Sequence, residues 1–156
     1  VKTSIEMGLL INELGAIQKI QREVTYGINR RSRIDLFLTP NSNNLDTRTI
    51  YLEVKNTTWK EGSLGFFPDT VTLRGQKHLQ ELVGVLPESR AVLVPSISRC
   101  DVEAFSPGDK ADPRYGELFR LALNSGVEII PCSFGFHIDR ITWEGKKPVF
   151  IDEKVI

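Results

Sequence analysis

The chain has 156 residues and a mass of 17.6 kDa; 40% of its residues are hydrophobic and 26% are charged. These values are typical of one globular domain and exclude a disordered chain, a collagen-like chain and a coiled coil. The sequence contains no apolar run near the ~20 residues that a membrane-spanning helix needs, and it shows no pattern of a secretion signal. We therefore expect a cytoplasmic protein with no membrane partner, and the composition leaves its oligomeric state open.

The distribution of charge and the few cysteines narrow the chemistry. Residues 1–78 hold 11 basic and 8 acidic side chains, whereas residues 79–156 hold 9 and 12. This asymmetry weakly favours a polyanionic partner for the first half of the chain. Two cysteines fit a reducing compartment, and together with two histidines they are too few to predict a structural zinc site. A catalytic metal would therefore be a hard ion bound by carboxylates.

The N-terminal third of the sequence predicts short helices followed by strands. Apolar residues in 1–17 follow an approximately helical spacing that Gly8 and Gly15 interrupt, which predicts one or two short helices. Apolar patterns then predict three strands, at residues 21–27, 33–38 and 49–57. Turns and polar loops follow these strands, at residues 27–32, 40–47 and 62–65.

The remaining sequence predicts two helices that alternate with strands. The first helix, over residues 73–86, has its apolar side chains at helical spacing, namely Leu79, Leu82, Val83 and Leu86. Gly75 lies on that face, where we expect it to let the helix approach the sheet closely. Asp112 and Pro113 begin the second helix as N-cap and first-turn proline, after a loop at 106–113, and Gly126 ends it. Strands are predicted at residues 90–97 and 127–134, with edge strands at 136–139 and 147–151.

This order of elements predicts an α/β fold. Strands that pair first as a meander, and are then linked by helical crossovers, form a mixed central β-sheet flanked by helices on both faces. We expect residues 1–156 to form a single domain of this kind.

Charged residues on neighbouring predicted strands carry the most specific functional signal. Because side chains alternate across a strand, Glu53 and Lys55 share one face, and Asp35 joins them if the two strands pair. The opposite face is predicted to hold Ile34, Leu36 and Leu38. Two carboxylates about 4 Å apart repel by about 1–4 kcal/mol at intermediate dielectric constants, whereas a bound Mg²⁺ turns this repulsion into affinity. The pattern alone leaves open a solvated polar face with a surface ion pair between Glu53 and Lys55.

Several segments resemble the sugar fermentation stimulation protein family, SfsA. They are Ser32-Arg33-Ile34-Asp35-Leu36, Tyr51-Leu52-Glu53-Val54-Lys55-Asn56, Phe67-Pro68-Asp69 and Arg74-Gly75-Gln76-Lys77-His78-Leu79. The resemblance implies a restriction-endonuclease-like PD-(D/E)xK core in which Asp35, Glu53 and Lys55 are catalytic. Asp35 and Glu53 would then bind Mg²⁺ or Mn²⁺. It also implies that the family's N-terminal OB-like domain lies outside this sequence. The chain departs from the family at Leu73, where the family usually has a glutamate.

Other residues are assigned roles that depend on this resemblance. Gln76 is a further catalytic candidate; the alternative is a boundary residue satisfied by water. Five basic residues are candidates for contacts to DNA phosphates: Arg30, Arg31, Arg33, Arg74 and Lys77. For the three arginines before Asp35, the alternative is a solvated turn. We expect His78 to be a surface histidine. Glu6 and Glu13 compete for the role of an additional carboxylate from the first helix.

The resemblance implies a DNA-binding protein with metal-dependent hydrolysis of phosphodiester bonds as its activity. One alternative is a DNA-binding regulator of sugar (maltose) metabolism that keeps the fold without turnover. A second alternative is an interaction module whose acidic face binds metal only incidentally. Metal-dependent cleavage and salt-dependent binding of DNA distinguish the three.

Overall fold

The computed structural model describes residues 1–27, 32–151 and 154–155. The helices of this part are α1 (Lys2–Glu6), α2 (Ile11–Leu14), α3 (Leu73–Val83) and α4 (Pro113–Asn124). Its strands are β1 (Ile17–Tyr26), β2 (Ser32–Pro40), β3 (Ile50–Thr57), β4 (Trp59–Glu61), β5 (Leu64–Phe67), β6 (Arg90–Ile97), β7 (Ala104–Pro107), β8 (Glu128–Ile129), β9 (Cys132–Phe136), β10 (Ile141–Lys146), β11 (Phe150–Ile151) and β12 (Lys154–Val155). None of the helices in this described part is long and apolar enough to cross a membrane.

The central sheet is mixed, which confirms the predicted α/β class. Its strands follow the order β1-β2-β3-β6-β9-β10, and β8 also pairs with β6. The pairs β1–β2, β2–β3 and β9–β10 are antiparallel, whereas β6 runs parallel to β3, β8 and β9. The parallel pair β3–β6 requires a crossover, and α3 lies in it. The fold therefore brings α3 next to the strand that carries Glu53 and Lys55.

Two clusters of buried side chains form the core. One cluster joins residues of α3 and α4, such as Leu79 and Phe119, to strand residues such as Leu93. The other joins residues of α1 and α2, such as Leu14, to strand residues such as Leu52. The sequence pattern explains this division, because β6 is an almost continuous apolar run and contributes alternate side chains to each cluster.

The predicted strands of the central sheet are largely confirmed, and the differences have local causes. The strand predicted at 127–134 is split into β8 and β9 at Pro131, which has no N–H to donate to a ladder. The edge strand predicted at 136–139 is wrong. The N–H of His137 instead donates to the carbonyl of Arg140 in a turn, and β10 follows.

A second, three-stranded sheet was not predicted from the sequence. It consists of β4, β5 and β7, with β5 antiparallel to β4 and parallel to β7. Its strands have only three or four residues each, too few for a periodic apolar pattern. The rings of Trp59 on β4 and Phe66 on β5 contact each other at an interplanar angle of 39°, with centroids 5.0 Å apart.

Helix α3 begins with a side-chain cap and contacts α4 through a glycine. The Thr72 hydroxyl accepts a hydrogen bond from the Gly75 N–H at 3.0 Å, so the helix is capped although its first residue is Leu73. A Cβ atom on Gly75 would lie 2.7 Å from the Thr72 Cγ2 atom and 3.2 Å from the Tyr115 ring of α4. Gly75 thus permits the approach of Tyr115 and of the cap, rather than the predicted approach to the sheet.

We expect Gly75→Ala to lower the free energy of unfolding, by about 1 kcal/mol. The helix gains roughly 1 kcal/mol in propensity, but overpacking against Thr72 and Tyr115 costs about 1–3 kcal/mol. Gly84→Ala is the matched control. Gly84 has helical dihedral angles and its added Cβ would make only ordinary contacts, so we expect a gain of about 0.4–1 kcal/mol. Urea denaturation measures both, and equal stabilisation of the two variants would contradict the packing argument.

Candidate functional site

The pairing of β2 with β3 ends beside Asp35. The antiparallel register includes Leu36 opposite Leu52, and one further step would place Asp35 opposite Glu53. At this step the Val54 N–H donates instead to the Asp35 Oδ2 atom, at 2.7 Å. On the side of β3 that faces β2, the Asp35 carboxylate therefore takes the place of a backbone acceptor for the residue that follows Glu53.

Strand β1, the other neighbour of β2, is irregular opposite Asp35. Arg22 and Val24 of β1 pair with residues of β2, but Glu23 between them does not. The φ of Glu23 is 53°, in the left-handed region that residues other than glycine rarely adopt. Ile34 packs in the cluster with α3 and α4, whereas Leu36 and Leu38 pack in the cluster with α1 and α2. The predicted common face for these three residues is therefore wrong, because the ladder is interrupted between Ile34 and Leu36.

Glu53 is buried and holds a lysine and a histidine on one oxygen. Its side chain is 3% exposed, and its Oε1 atom accepts a hydrogen bond from the Lys55 ammonium at 2.8 Å. His78 Nδ1 also contacts Oε1. The ammonium lies 5.9 Å from the centroid of the Phe67 ring, within range of a cation–π contact. The burial excludes the alternative of a solvated surface ion pair.

His78 is buried, so its prediction as a surface histidine is wrong. Its residue exposure is 4%, and it lies on α3 between Glu53 and Arg74. The sequence contains a signal for this burial, because Gly75, His78, Leu79 and Leu82 follow the spacing i, i+3, i+4 and i+7 of one helical face. All four residues of this series are buried.

The pKa values of the two carboxyl groups are shifted in opposite directions. Burial and the nearby Glu53 charge raise the pKa of Asp35 above its usual value, and the Val54 N–H offsets only part of this effect. Burial works to raise the pKa of Glu53 as well. The hydrogen bonds with His78 and Lys55 outweigh burial, so the pKa of Glu53 is lowered. At neutral pH the structure thus favours the ionised form of Glu53 and opposes that of Asp35.

An open cleft of about 620 Å³ is lined by His78, the residue that contacts Glu53. Three predicted DNA contacts, Arg33, Arg74 and Lys77, line it together with Glu23, Ser32, Leu73 and His78. The Lys77 ammonium donates to the Ser32 hydroxyl at 2.8 Å, which holds the lysine against the cleft wall. Arg30 and Arg31 lie outside the described residues. The cleft therefore joins cationic side chains to the histidine that contacts Glu53.

Gln76 has partners at a helix junction. Its amide nitrogen lies 3.0 Å from both carboxylate oxygens of Asp112. Asp112 also accepts from the N–H groups of Thr72 and Tyr115, which confirms it as the cap of α4. These contacts join the first turns of α3 and α4 and give Gln76 a structural role; its catalytic role stays a prediction.

The two candidate carboxylates near the N-terminus are each paired with a lysine. Glu6 on α1 pairs with Lys2, and Glu13 on α2 pairs with Lys146 of β10. These helices contribute to the core cluster that contains Leu52 and Val92. A role for either carboxylate at a metal site stays a prediction.

The donor set near Glu53 suits a cation that shares its ligands with water and substrate. Glu53 Oε2 is buried and has no hydrogen-bond partner among the described residues. Across residues 1–27, 32–151 and 154–155 no group of three or more His, Cys, Asp and Glu side chains could hold a metal ion. Mg²⁺ commonly uses one or two carboxylates and completes its shell with waters and phosphate oxygens. Asp35 and Glu53 fit that use.

Comparison with known proteins identifies the family. A family model described as "Sugar fermentation stimulation protein RE domain" matches residues 1–140. The chain is 72% identical over 148 residues to a "Sugar fermentation stimulation protein homolog" of Prochlorococcus marinus (strain MIT 9313), and 63% identical over 149 residues to one of Synechococcus sp. (strain CC9605). These matches cover 95% and 96% of this chain. The chain belongs to the SfsA family.

A solved structure of the family has the same fold. The structure of Pyrococcus furiosus SfsA in complex with Ca²⁺ matches with a TM-score of 0.83 and 32% sequence identity, over 95% of this chain and 61% of that chain. The two curated relatives are each covered over 59% of their length. The chain therefore spans about three fifths of the length of the proteins it matches.

We expect Asp35→Asn to raise the free energy of unfolding at pH 7. Asn keeps an oxygen for the Val54 N–H and removes a charge that burial and Glu53 oppose. Because the pKa of Asp35 is raised in the folded protein, the native wild type takes up a proton here as the pH falls, and the cost of the charge disappears. The gain from Asn should therefore be largest at neutral pH and shrink as the pH falls through the raised pKa, as urea denaturation at a series of pH values can show.

Glu53→Gln is the control with the opposite sign. The ionised Glu53 contributes stability above its unfolded-state pKa, and this contribution is lost as the pH falls through the lowered folded pKa. We expect the substitution to cost about 1.5–3 kcal/mol at pH 7, as for hydrogen bonds to a charged group. A shift of both variants in the same direction would refute the opposite roles of the two carboxyl groups.

Proposed function

We propose that the chain is a PD-(D/E)xK nuclease-like domain that hydrolyses phosphodiester bonds of DNA with Mg²⁺ or Mn²⁺. One observation carries the proposal: the buried Glu53 carboxylate, whose charge acts on Asp35, has one oxygen without a hydrogen-bond partner in the described part of the chain. A buried charged oxygen without a partner costs several kcal/mol. A divalent cation held by Asp35 and Glu53 would offset this cost and the repulsion between the two carboxylates.

The arrangement of the core supports the fold part of the proposal. One cluster contains side chains of α3 and α4, and the other contains side chains of α1 and α2. Helices on both faces of the central sheet produce two clusters of this composition. Residues 1–156 then form one domain, in which β2 and β3 present Asp35, Glu53 and Lys55 at the end of their pairing.

The metal would be held by Asp35 and Glu53. The presence of Ca²⁺ in the Pyrococcus furiosus relative supports a divalent cation in this domain, and carboxylate oxygens are the ligands that Ca²⁺, Mg²⁺ and Mn²⁺ share. When bound there, such an ion would lower the pKa of a water ligand, which would make hydroxide available, and would offset negative charge on the phosphate.

The side chains of this chain supply orientation and charge. The Lys55 ammonium, 2.8 Å from Glu53 Oε1, places a positive charge where negative charge develops on a phosphate beside the carboxylates. Arg33, Arg74 and Lys77 line the adjoining cleft and bind the flanking phosphates. The cation–π contact with Phe67 restricts the lysine. Lys55 thereby stabilises the transition state without moving far from its position in the free protein.

Cleavage of supercoiled plasmid and of single-stranded DNA, with Mg²⁺ or Mn²⁺ added, tests the activity. We expect Asp35→Ala and Glu53→Ala each to reduce the rate at least 100-fold, because the metal contributes several kcal/mol to the stabilisation of the transition state. Asp139→Ala is the control, since that carboxylate is 72% exposed and pairs with Arg140. It should cleave at the wild-type rate.

Two results would overturn the assignment. An undiminished rate in either alanine variant would remove that residue from the mechanism. The lack of any metal-dependent cleavage by the wild type, together with salt-dependent DNA binding, would favour the DNA-binding regulator without turnover.

Binding of DNA to the cleft should depend on salt. We expect Arg33→Ala and Lys77→Ala each to reduce the slope of log K against log salt concentration by about 0.7–0.9, the value for one phosphate contact. Arg140→Ala, at an exposed turn, should leave the slope unchanged. Fluorescence anisotropy with labelled oligonucleotides in Ca²⁺ measures the slopes, and an affinity that does not vary with salt would argue against phosphate contacts.

A further inference from the structure

His78 connects the cleft to the carboxylate pair. It projects from α3 onto Glu53 of β3, with its side chain 5% exposed. On the other side of the ring, the Arg74 Nε atom lies 3.4 Å from His78 Nε2. Arg74 lines the cleft, so a continuous set of contacts runs from the cleft wall through the imidazole ring to the buried carboxylate.

The partners of His78 define its tautomer. Arg74 Nε–H can only donate, so His78 Nε2 accepts and carries no proton. The remaining proton of a neutral ring is then on Nδ1, which donates to Glu53 Oε1. The Lys55 ammonium, 3.1 Å from Nδ1, donates to the same Oε1 atom rather than to the ring. Each of the three side chains thus has a defined donor or acceptor role.

These contacts give the two oxygens of Glu53 different environments. A carboxylate oxygen has two lone pairs, and those of Oε1 accept from Lys55 and His78. Oε2 is buried and has no partner in the described part of the chain. The carboxylate is therefore held by one oxygen and offers the other.

We propose that His78 is a positioning residue that holds Glu53 by Oε1 and thereby directs Oε2 to the metal. This inference rests on the proposed function, which assigns Glu53 as a metal ligand. Hydrogen bonds that orient a metal-binding carboxylate commonly contribute 10–100-fold to metal affinity. Lys55 alone cannot provide the same restraint, because it belongs to the same strand as Glu53, whereas His78 reaches the carboxylate from α3 with its side chain 5% exposed.

Binding of Mn²⁺ alone, followed by isothermal titration calorimetry without DNA, tests the role of His78. We expect His78→Ala to weaken Mn²⁺ binding by about 10–100-fold. His78→Asn should bind within a few-fold of the wild type, because the asparagine amide N–H can take the place of Nδ1–H. His78→Gln, whose amide reaches the position of Nε2 instead, should resemble the alanine variant. His137→Ala is the control, since His137 is exposed on the turn before β10.

The outcomes separate this inference from the proposed function. If the wild type binds no Mn²⁺, the metal-dependent function fails. If the wild type binds Mn²⁺ and His78→Ala binds it equally well, only the role of His78 fails. A His78→Asn variant that folds but binds as weakly as His78→Gln would also overturn the role, because the loss would then follow from the ring and not from its Nδ1–H. The comparison of the two amides holds even if the alanine variant does not fold.

Discussion

Burial of the Glu53 carboxylate is the constraint on which the rest of the site depends. Moving such a group out of water costs several kcal/mol unless charged or polar partners accompany it. Lys55 supplies one partner from the same strand, and His78 supplies the other from α3. Because the second partner belongs to another element, α3 must lie at a particular rotation and distance relative to β3. The caps at Thr72 and Asp112 and the close approach at Gly75 establish that position.

The site also interrupts the regular sheet. A regular ladder would place Asp35 directly opposite Glu53, where two charges would repel. Instead, Asp35 accepts from the Val54 N–H, and the neighbouring Glu23 adopts a left-handed backbone conformation. Irregularities of this kind concentrate at functional sites, where the surrounding fold compensates for them. Burial and the nearby Glu53 charge raise the pKa of Asp35, so the ionised Asp35 carboxylate lowers the stability of the fold.

The sequence predicted most of the central sheet and the two longer helices, but not the small second sheet. Residues 90–97 form a strand over their full predicted length. A nearly continuous apolar run is typical of a strand that is buried on both faces of a sheet. Helix α3 begins at the predicted Leu73 and ends three residues early, at Val83. The strands β4, β5 and β7 were missed because their stability comes from pairing with one another, not from a periodic pattern. The common face predicted for Ile34 and Leu36 failed for a similar reason: the interruption at Glu23 belongs to the neighbouring strand.

For the site, strand alternation placed Glu53 and Lys55 on one face, with Asp35 joining them if the two strands pair. Motif resemblance added the family, which the comparisons confirm. Such features depend on residues a few positions apart, so the sequence determines them directly. Contacts between distant segments were decided only in the folded chain. His78 meets Glu53 across 25 positions of sequence, and Gln76 meets Asp112 across 36. These contacts depend on how the helices pack on the sheet and on each other. That packing cannot be predicted from the residues next to each partner in the sequence.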